Sequence, residues 1–254
     1  MKKEKDPIIV YWAPHSIAED ETLPGNWNMM YQEPVNVFKH WTQFDINIKN
    51  STHESFIKCP AFKNLTKNLY AWNWPIDSKY EYNAISTDAN QIEVTPLTES
   101  YIACAPPRNQ TMTTGPSLEF SYRLHMFAEE PVEVMLTGPY LQQVEYQKYG
   151  FLTSGQFDIG QWFRTLNVEI QLYGNSGELY IKKDEPIFYV NFLTDRKIIF
   201  KRFELTSEID TYSRKCITAK HLFGLKMPLS ESYNLFNKSR TRDIVLKKIK
   251  ENLI

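Results

Sequence analysis

The chain of 254 residues holds only three cysteines, Cys59, Cys104 and Cys216, and they lie far apart. No CxxC pair exists, which removes a local zinc knuckle or dithiol redox centre and leaves buried free thiols in a reducing compartment as the expectation. Glycine is scarce, nine residues against fourteen prolines, so flexible glycine-rich linkers are not expected. No apolar run approaches the ~20 residues that a membrane-spanning helix needs. Neither sign of charge dominates: 29 Lys and Arg stand against 30 Asp and Glu, a net charge of −1 at pH 7. That balance argues against a surface built to coat nucleic acid. The opening MKKEKDPIIVYWAP begins like a secretory leader, but its apolar run is too short for one and no small-residue cleavage site follows. A basic tail leading into a first strand, in a cytoplasmic protein without a membrane partner, is expected instead, and the sequons at Asn50, Asn64, Asn109 and Asn237 then count as chance matches.

What the chain does have is aromatic side chains, 14% of residues, and long stretches of period-two alternation. Both favour packed, pleated sheets. In SLEFSYRLHMF, Leu118, Phe120, Tyr122, Leu124 and Met126 alternate with Glu119, Ser121, Arg123 and His125, which assigns the first set to a core face and the second to the outside. Leu166, Val168, Ile170 and Leu172 repeat the pattern, and the run from Leu166 to Phe192 reads as paired strands around tight turns. IFYVNFL is apolar on both faces, as a strand covered from both sides should be. Pro186 suits its first position, where no ladder donor is needed. The period shifts to helical after Ser207, with Ser207 as N-cap, Gly224 as stop, and a last helix near residues 238–252 carrying Val245, Leu246, Ile249 and Leu253 inward. The expected fold is therefore mainly β, a jelly-roll or β-sandwich-like core over residues 80–205. Residues 1–79 form an irregular wrap with a short helix in VNVFKHWTQF, and residues 206–254 form C-terminal helices packed on the core.

The motifs that carry chemistry fail one by one. GFLTSGQF has the glycine spacing of a phosphate-binding loop, Gly150 and Gly155, but Gln156 and Phe157 stand where Lys and Ser or Thr must be. His125 and Glu129 are spaced like two metal ligands, yet a catalytic zinc takes about three protein ligands, and His15, His40, His53 and His221 form no HxH or HExxH with them. No GxSxG elbow precedes a helix. The pairs Glu129-Glu130 and Asp184-Glu185 sit beside prolines in turns, where exposed charge is expected rather than the burial that general-acid work needs. No catalytic residue, metal or cofactor is assigned. The candidate binding residues are Trp72 and Trp74, two apart and so on one side of an extended segment, where they could stack a sugar or a base; Arg108, the sole full charge of the polar loop APPRNQTMTTGP; and Arg123 and His125 on the outward face. Core burial is the commoner role of such tryptophans. The basic last helix, with Lys238, Arg240, Arg242, Lys247, Lys248 and Lys250, is the one place where nucleic acid or an acidic partner would find cations.

The segment ELYIKKDEPIFYVNF resembles the turn and strand of the dUTPase and dCTP-deaminase family, which implies a jelly-roll-like subunit. That family's Gly-x-x-Asp-x-x-Tyr segment is absent here, so the resemblance stops at architecture. CPAFKN, APPRNQ and KKDEPIFYVNF together resemble an uncharacterised protein family of tailed bacteriophages, marine phages among them, over about residues 55–205. This resemblance implies a virus-encoded β protein in the host cytoplasm or the virion, with no assigned activity and no catalytic residues to transfer. The expected function is accordingly non-enzymatic: a binding or virion-associated protein whose partner is another protein or a virion component, with a homo-oligomer compatible with either. The rivals are a nucleotide-binding or nucleotide-processing protein on a dUTPase-like barrel, and a glycan-binding sandwich using Trp72 and Trp74.

Overall fold

Alternating apolar positions need a partner surface on one side, and two facing sheets supply it. The computed structural model describes residues 6–14, 33–44, 58–84, 92–95, 102–105, 115–219 and 228–254. Its early strands are β1 (Ile8–Pro14), β2 (Val35–Asn36), β3 (Leu69–Asn73), β4 (Ser78–Ala84), β5 (Ile92–Thr95), β6 (Ile102–Ala105) and β7 (Ser117–Ala128). The later ones are β8 (Glu133–Thr137), β9 (Gly150–Leu152), β10 (Gly155–Asp158), β11 (Thr165–Leu172), β12 (Ser176–Ile181), β13 (Pro186–Phe192) and β14 (Ile198–Arg202). Helices α1 (Val37–Phe44) and α2 (Pro60–Thr66) precede β3, while α3 (Ser207–Ala219), α4 (Leu229–Lys238) and α5 (Thr241–Glu251) follow β14.

The first sheet runs β14-β1-β7-β11-β9, with β6 also paired to β7; the second runs β10-β8-β13-β3-β2; β12-β4-β5 form a smaller third. β1 and β14 pair in parallel, and the other pairs are antiparallel. The predicted core face is observed at Leu118, Phe120, Leu124 and Met126 of β7, the side chain of Tyr122 lying outside the described residues, and at Leu166, Val168, Ile170 and Leu172 of β11; these meet Trp72, Val134, Leu136, Phe188 and Val190 of the second sheet. The third sheet adds Tyr82, Val94, Leu179 and Ile181 to the same core. The result is a mainly β protein with a sandwich-like core and C-terminal helices.

Four expectations change. The run Leu166 to Phe192 makes no hairpin: β11 lies beside β7 and β9, β12 beside β4, and β13 between β3 and β8, so its tight turns carry the chain from sheet to sheet. Period-two alternation states which residues face inward, and is silent on which strand lies alongside. Residues 1–79 are more than a wrap, because β1 lies between β14 and β7 and β3 between β13 and β2; α1 forms where VNVFKHWTQF predicts it. The end of the chain carries an additional helix, α4. Helix α3 is capped by Thr206 rather than Ser207, since the Ile209 amide donates to Thr206 Oγ1 (3.3 Å) and the Asp210 amide to the Thr206 carbonyl (2.9 Å). Gly224 lies outside the described residues.

Helices α3, α4 and α5 bury the outer face of the first sheet. Tyr11, Ala13 and Phe127, which point away from the sandwich, pack with Phe163, Ile209, Cys216, Phe236, Val245 and Ile249 in a second cluster. After α5 the chain runs back along β14: the Ile254 amide donates to Arg202 (3.1 Å) and the Glu204 amide to Asn252 (2.9 Å).

GFLTSGQF spans β9 and β10, the starts of strands in two different sheets, so no loop-to-helix phosphate cradle exists there. Gly150 is required by close approach: a Cβ at this position would lie 2.3 Å from the Gln171 carbonyl oxygen, whereas one at Gly155 would meet nothing within 4 Å. Gly150→Ala is therefore expected to lower stability by more than about 1 kcal/mol and Gly155→Ala to leave it within about 0.5 kcal/mol of wild type, as measured by urea denaturation. Equal effects of the two would contradict the pairing of β9 with β11.

Candidate functional site

Of the sequence-derived binding residues, Trp72 and Trp74 lie in the sandwich core and His125 lies under α3, so these three do not meet in one place. His125 does face away from the sandwich, as alternation requires, but the outward side there is not solvent. Helix α3 covers it, the residue is fully buried, and its Nε2 lies 2.9 Å from Ser213 Oγ with the ring 5.2 Å from Phe163. The expectation of a solvent-facing His125 is thus corrected by a helix that begins some eighty residues later. Trp72 is buried and stacks on Phe188 at 5.8 Å. Trp74, also buried, donates its Nε1–H to Ser78 Oγ at 2.9 Å. Both indoles belong to the sandwich core, so neither ring face is open to stack a sugar. Arg123 lies on β7 with its side chain outside the described residues, and Arg108 lies outside them altogether.

Glu129, the suggested companion of His125, is engaged elsewhere. The Tyr11 hydroxyl donates to its carboxylate, and Lys250 Nζ lies 3.0 Å away. The Tyr11 hydrogen bond foremost, then Lys250, hold this carboxyl below the usual carboxylate range, the opposite of what a general acid needs. Arg242 donates to the Glu129 carbonyl and to that of Gly160 at 3.0 Å, which ties α5 to the end of β7. Glu130 pairs with Arg196 at 2.6 Å. The basic last helix is likewise engaged within the protein, Lys248 with Glu208 (3.0 Å) and Lys250 with Glu129. Among the described residues no group of three or more His, Cys, Asp or Glu is arranged to hold a metal ion.

A different site emerges under the helices. Asp158 organises the turn after β10: its Oδ1 accepts from the amides of Val132 (2.9 Å) and Gly160 (2.7 Å), and its Oδ2 from Gln161 Nε2 (2.8 Å). This turn directs Trp162 and Phe163 into the helical layer. Phe163 packs edge-on to Phe127 at 5.4 Å, while the Trp162 ring sits 4.9 Å from Tyr233 and 5.8 Å from Phe236 of α4. Between Trp162, α3 and α4 there remains a cavity of about 340 Å3, whose walls include Trp162, Tyr212, Cys216, Ser232, Leu235 and Phe236. Burial pushes the Cys216 thiol up to about 12, a hydrogen bond with the Phe163 backbone offsetting part of the rise. The thiol is therefore neutral at physiological pH and serves as wall rather than nucleophile. Two polar atoms of the lining residues, Trp162 Nε1 and Ser232 Oγ, are buried and have no hydrogen-bond partner among the described residues. The Lys215 ammonium group lies 5.4 Å from the centre of the Tyr212 ring, and Leu235 is exposed.

Motif scanning passes over this site because its residues come from three separate segments. One signal was present: after Pro228, Tyr233 and Phe236 follow at helical spacing, which marks α4 and the face that meets Trp162.

Alkylation of the native protein by iodoacetamide, read by peptide mapping, separates the thiols: Cys59, which is exposed, is expected to react at once and Cys216 only after denaturation. Equal reaction of the two in the native state would contradict the packing of α3. Among known proteins, no family model matches the chain, and neither a curated protein nor a solved structure is found that resembles it.

Proposed function

We propose that the protein is a non-enzymatic binding protein, of the tailed-phage kind its sequence resembles, in which the β-sandwich is the frame and the helical cap holds a small ligand over Trp162. One observation carries this reading: a cavity of about 340 Å3 lies between Trp162, α3 and α4, walled in large part by the side chains of Trp162, Tyr212, Leu235 and Phe236. The size lies within the range usual for small-molecule sites, about 300–1,000 Å3, and apolar walls with a few polar groups are their usual make-up. The phage resemblance adds the setting, an infected host's cytoplasm or the virion, and a neighbouring virion protein as the partner of the frame.

The test is 19F NMR of protein labelled with 5-fluorotryptophan, the Trp162 resonance being assigned by its loss in Trp162→Phe. Titration with a library of small metabolites is expected to yield compounds that shift this resonance and, at about 100 times their Kd, stabilise the fold by about 2.7 kcal/mol. A library in which none moves the Trp162 resonance at millimolar concentration would overturn the reading.

A further inference from the structure

We propose that the rim of the sandwich formed by β9 and β10 joins two copies of this chain, the β10 edge of one copy pairing antiparallel with the β10 edge of the other across a two-fold axis. β9 ends the first sheet and β10 ends the second, and only Thr153 and Ser154 separate them, so one rim carries the outermost strands of both sheets. Thr153, Ser154, Gly155 and Gln156 are all exposed. A sheet edge left open is a template for another strand, and proteins that stay single usually guard it with charge or proline. The stretch from Tyr149 to Phe157, which contains the failed phosphate-loop pattern GFLTSGQF, holds neither. The other sheet ends are guarded: β14 by Lys197, Lys201 and Arg202 and by the tail that pairs with its end, β2 by Pro34 just before it, β12 by Glu178 and β5 by Glu93. β6, beside β7, runs into Pro106 and Pro107.

The absence of charge also selects the partner. A two-fold axis sets a strand against itself, so a charge near the centre would meet its own kind, and this edge brings none. The nearest carboxylates are already engaged, Asp158 by the amides of Val132 and Gly160 and by Gln161, and Glu133 by the Gln156 side chain at 2.7 Å. The backbone sets the register. The Ile159 amide donates to the Val132 carbonyl (3.0 Å), and successive residues of an antiparallel strand turn their hydrogen-bonding groups to opposite sides. Gln156, three residues earlier, therefore turns its amide and carbonyl away from β8 and toward the open side. Pairing Gln156 with Gln156 of the second copy uses both groups. Because opposite residues share a face, it also sets Phe157 of one copy against Gly155 of the other, an aromatic ring over a glycine. Phe157 is only partly buried against the core, and a Cβ at Gly155 would meet nothing within 4 Å, so the ring has room to settle there. On the same rim Phe151 and Tyr173, 42% and 53% exposed, hold their rings 6.1 Å apart and add apolar surface.

Sedimentation velocity of the whole chain over a dilution series, with Gln156→Lys and Gln156→Glu run alongside, tests the joint. Wild type is expected to sediment as a dimer that dissociates on dilution. Each variant sets like charges opposite one another at the axis and is expected to associate at least about tenfold more weakly. An equal mixture of the two is expected to restore the dimer, because lysine then faces glutamate. Gln156 is exposed, so both variants are expected to keep the circular dichroism of dilute wild type, which separates a lost joint from a lost fold. A wild type that is monomeric at every concentration, a dimer that both variants leave intact, or a mixture of folded variants that stays monomeric would each overturn the proposal.

Discussion

Burial of the first sheet on both faces is the constraint from which the rest of the molecule follows. In β1, Val10 and Trp12 enter the sandwich while Tyr11 and Ala13 enter the helical layer, and in β7 Met126 and Phe127 divide in the same way. Trp12, Tyr11 and Phe127 are each at most 1% exposed, and removing side chains of this size from water contributes about 1.5–3 kcal/mol apiece. A sheet with one such face could end as a simple sandwich. With two, it must be covered again, and α3, α4 and α5 are the cover.

The cover explains both the clasps and the cavity. Tyr11, Glu129, Lys250 and Arg242 join β1, β7 and α5 at the rim, so the carboxylate that looked like half of a metal pair holds layers together. Farther along, Trp162 and Phe163 rise from the sheet into the same layer. Helices α3 and α4 close over Phe163 completely and leave a cavity beside Trp162. The sandwich is filled by its own side chains, whereas the cap, assembled from separate helices, leaves a cavity beside Trp162.

How far the sequence spoke depended on how local each determinant is. The inward residues of β7 and β11 were legible because alternation is a property of a single segment, and the burial of β13 on both faces because IFYVNFL shows it unaided. His125 was misjudged for the converse reason: the alternation correctly turned it away from the sandwich, but whether that side meets water depends on Ser213 and its helix. Strand neighbours were likewise hidden, since nothing in β12 announces that it pairs with β4 rather than β11. Trp72 and Trp74 show the same limit, a shared tendency toward core or platform that only the arrival of Phe188 and Phe120 decides. Trp162 carried no motif, and its place in the cavity wall is set by Tyr233 and Phe236, some seventy positions away.

The central claim is that sheet and helical cap form one cooperative unit, each covering apolar surface the other cannot leave exposed. Native-state hydrogen exchange on wild type and on Ile249→Ala tests it most directly, because Ile249 lies on α5, fully buried in the helical layer. Amides of β1 and of α5 are predicted to lose protection together, by the about 2–5 kcal/mol that truncating a buried isoleucine to alanine costs. Faster exchange in α5 with wild-type protection retained in β1 would contradict the account.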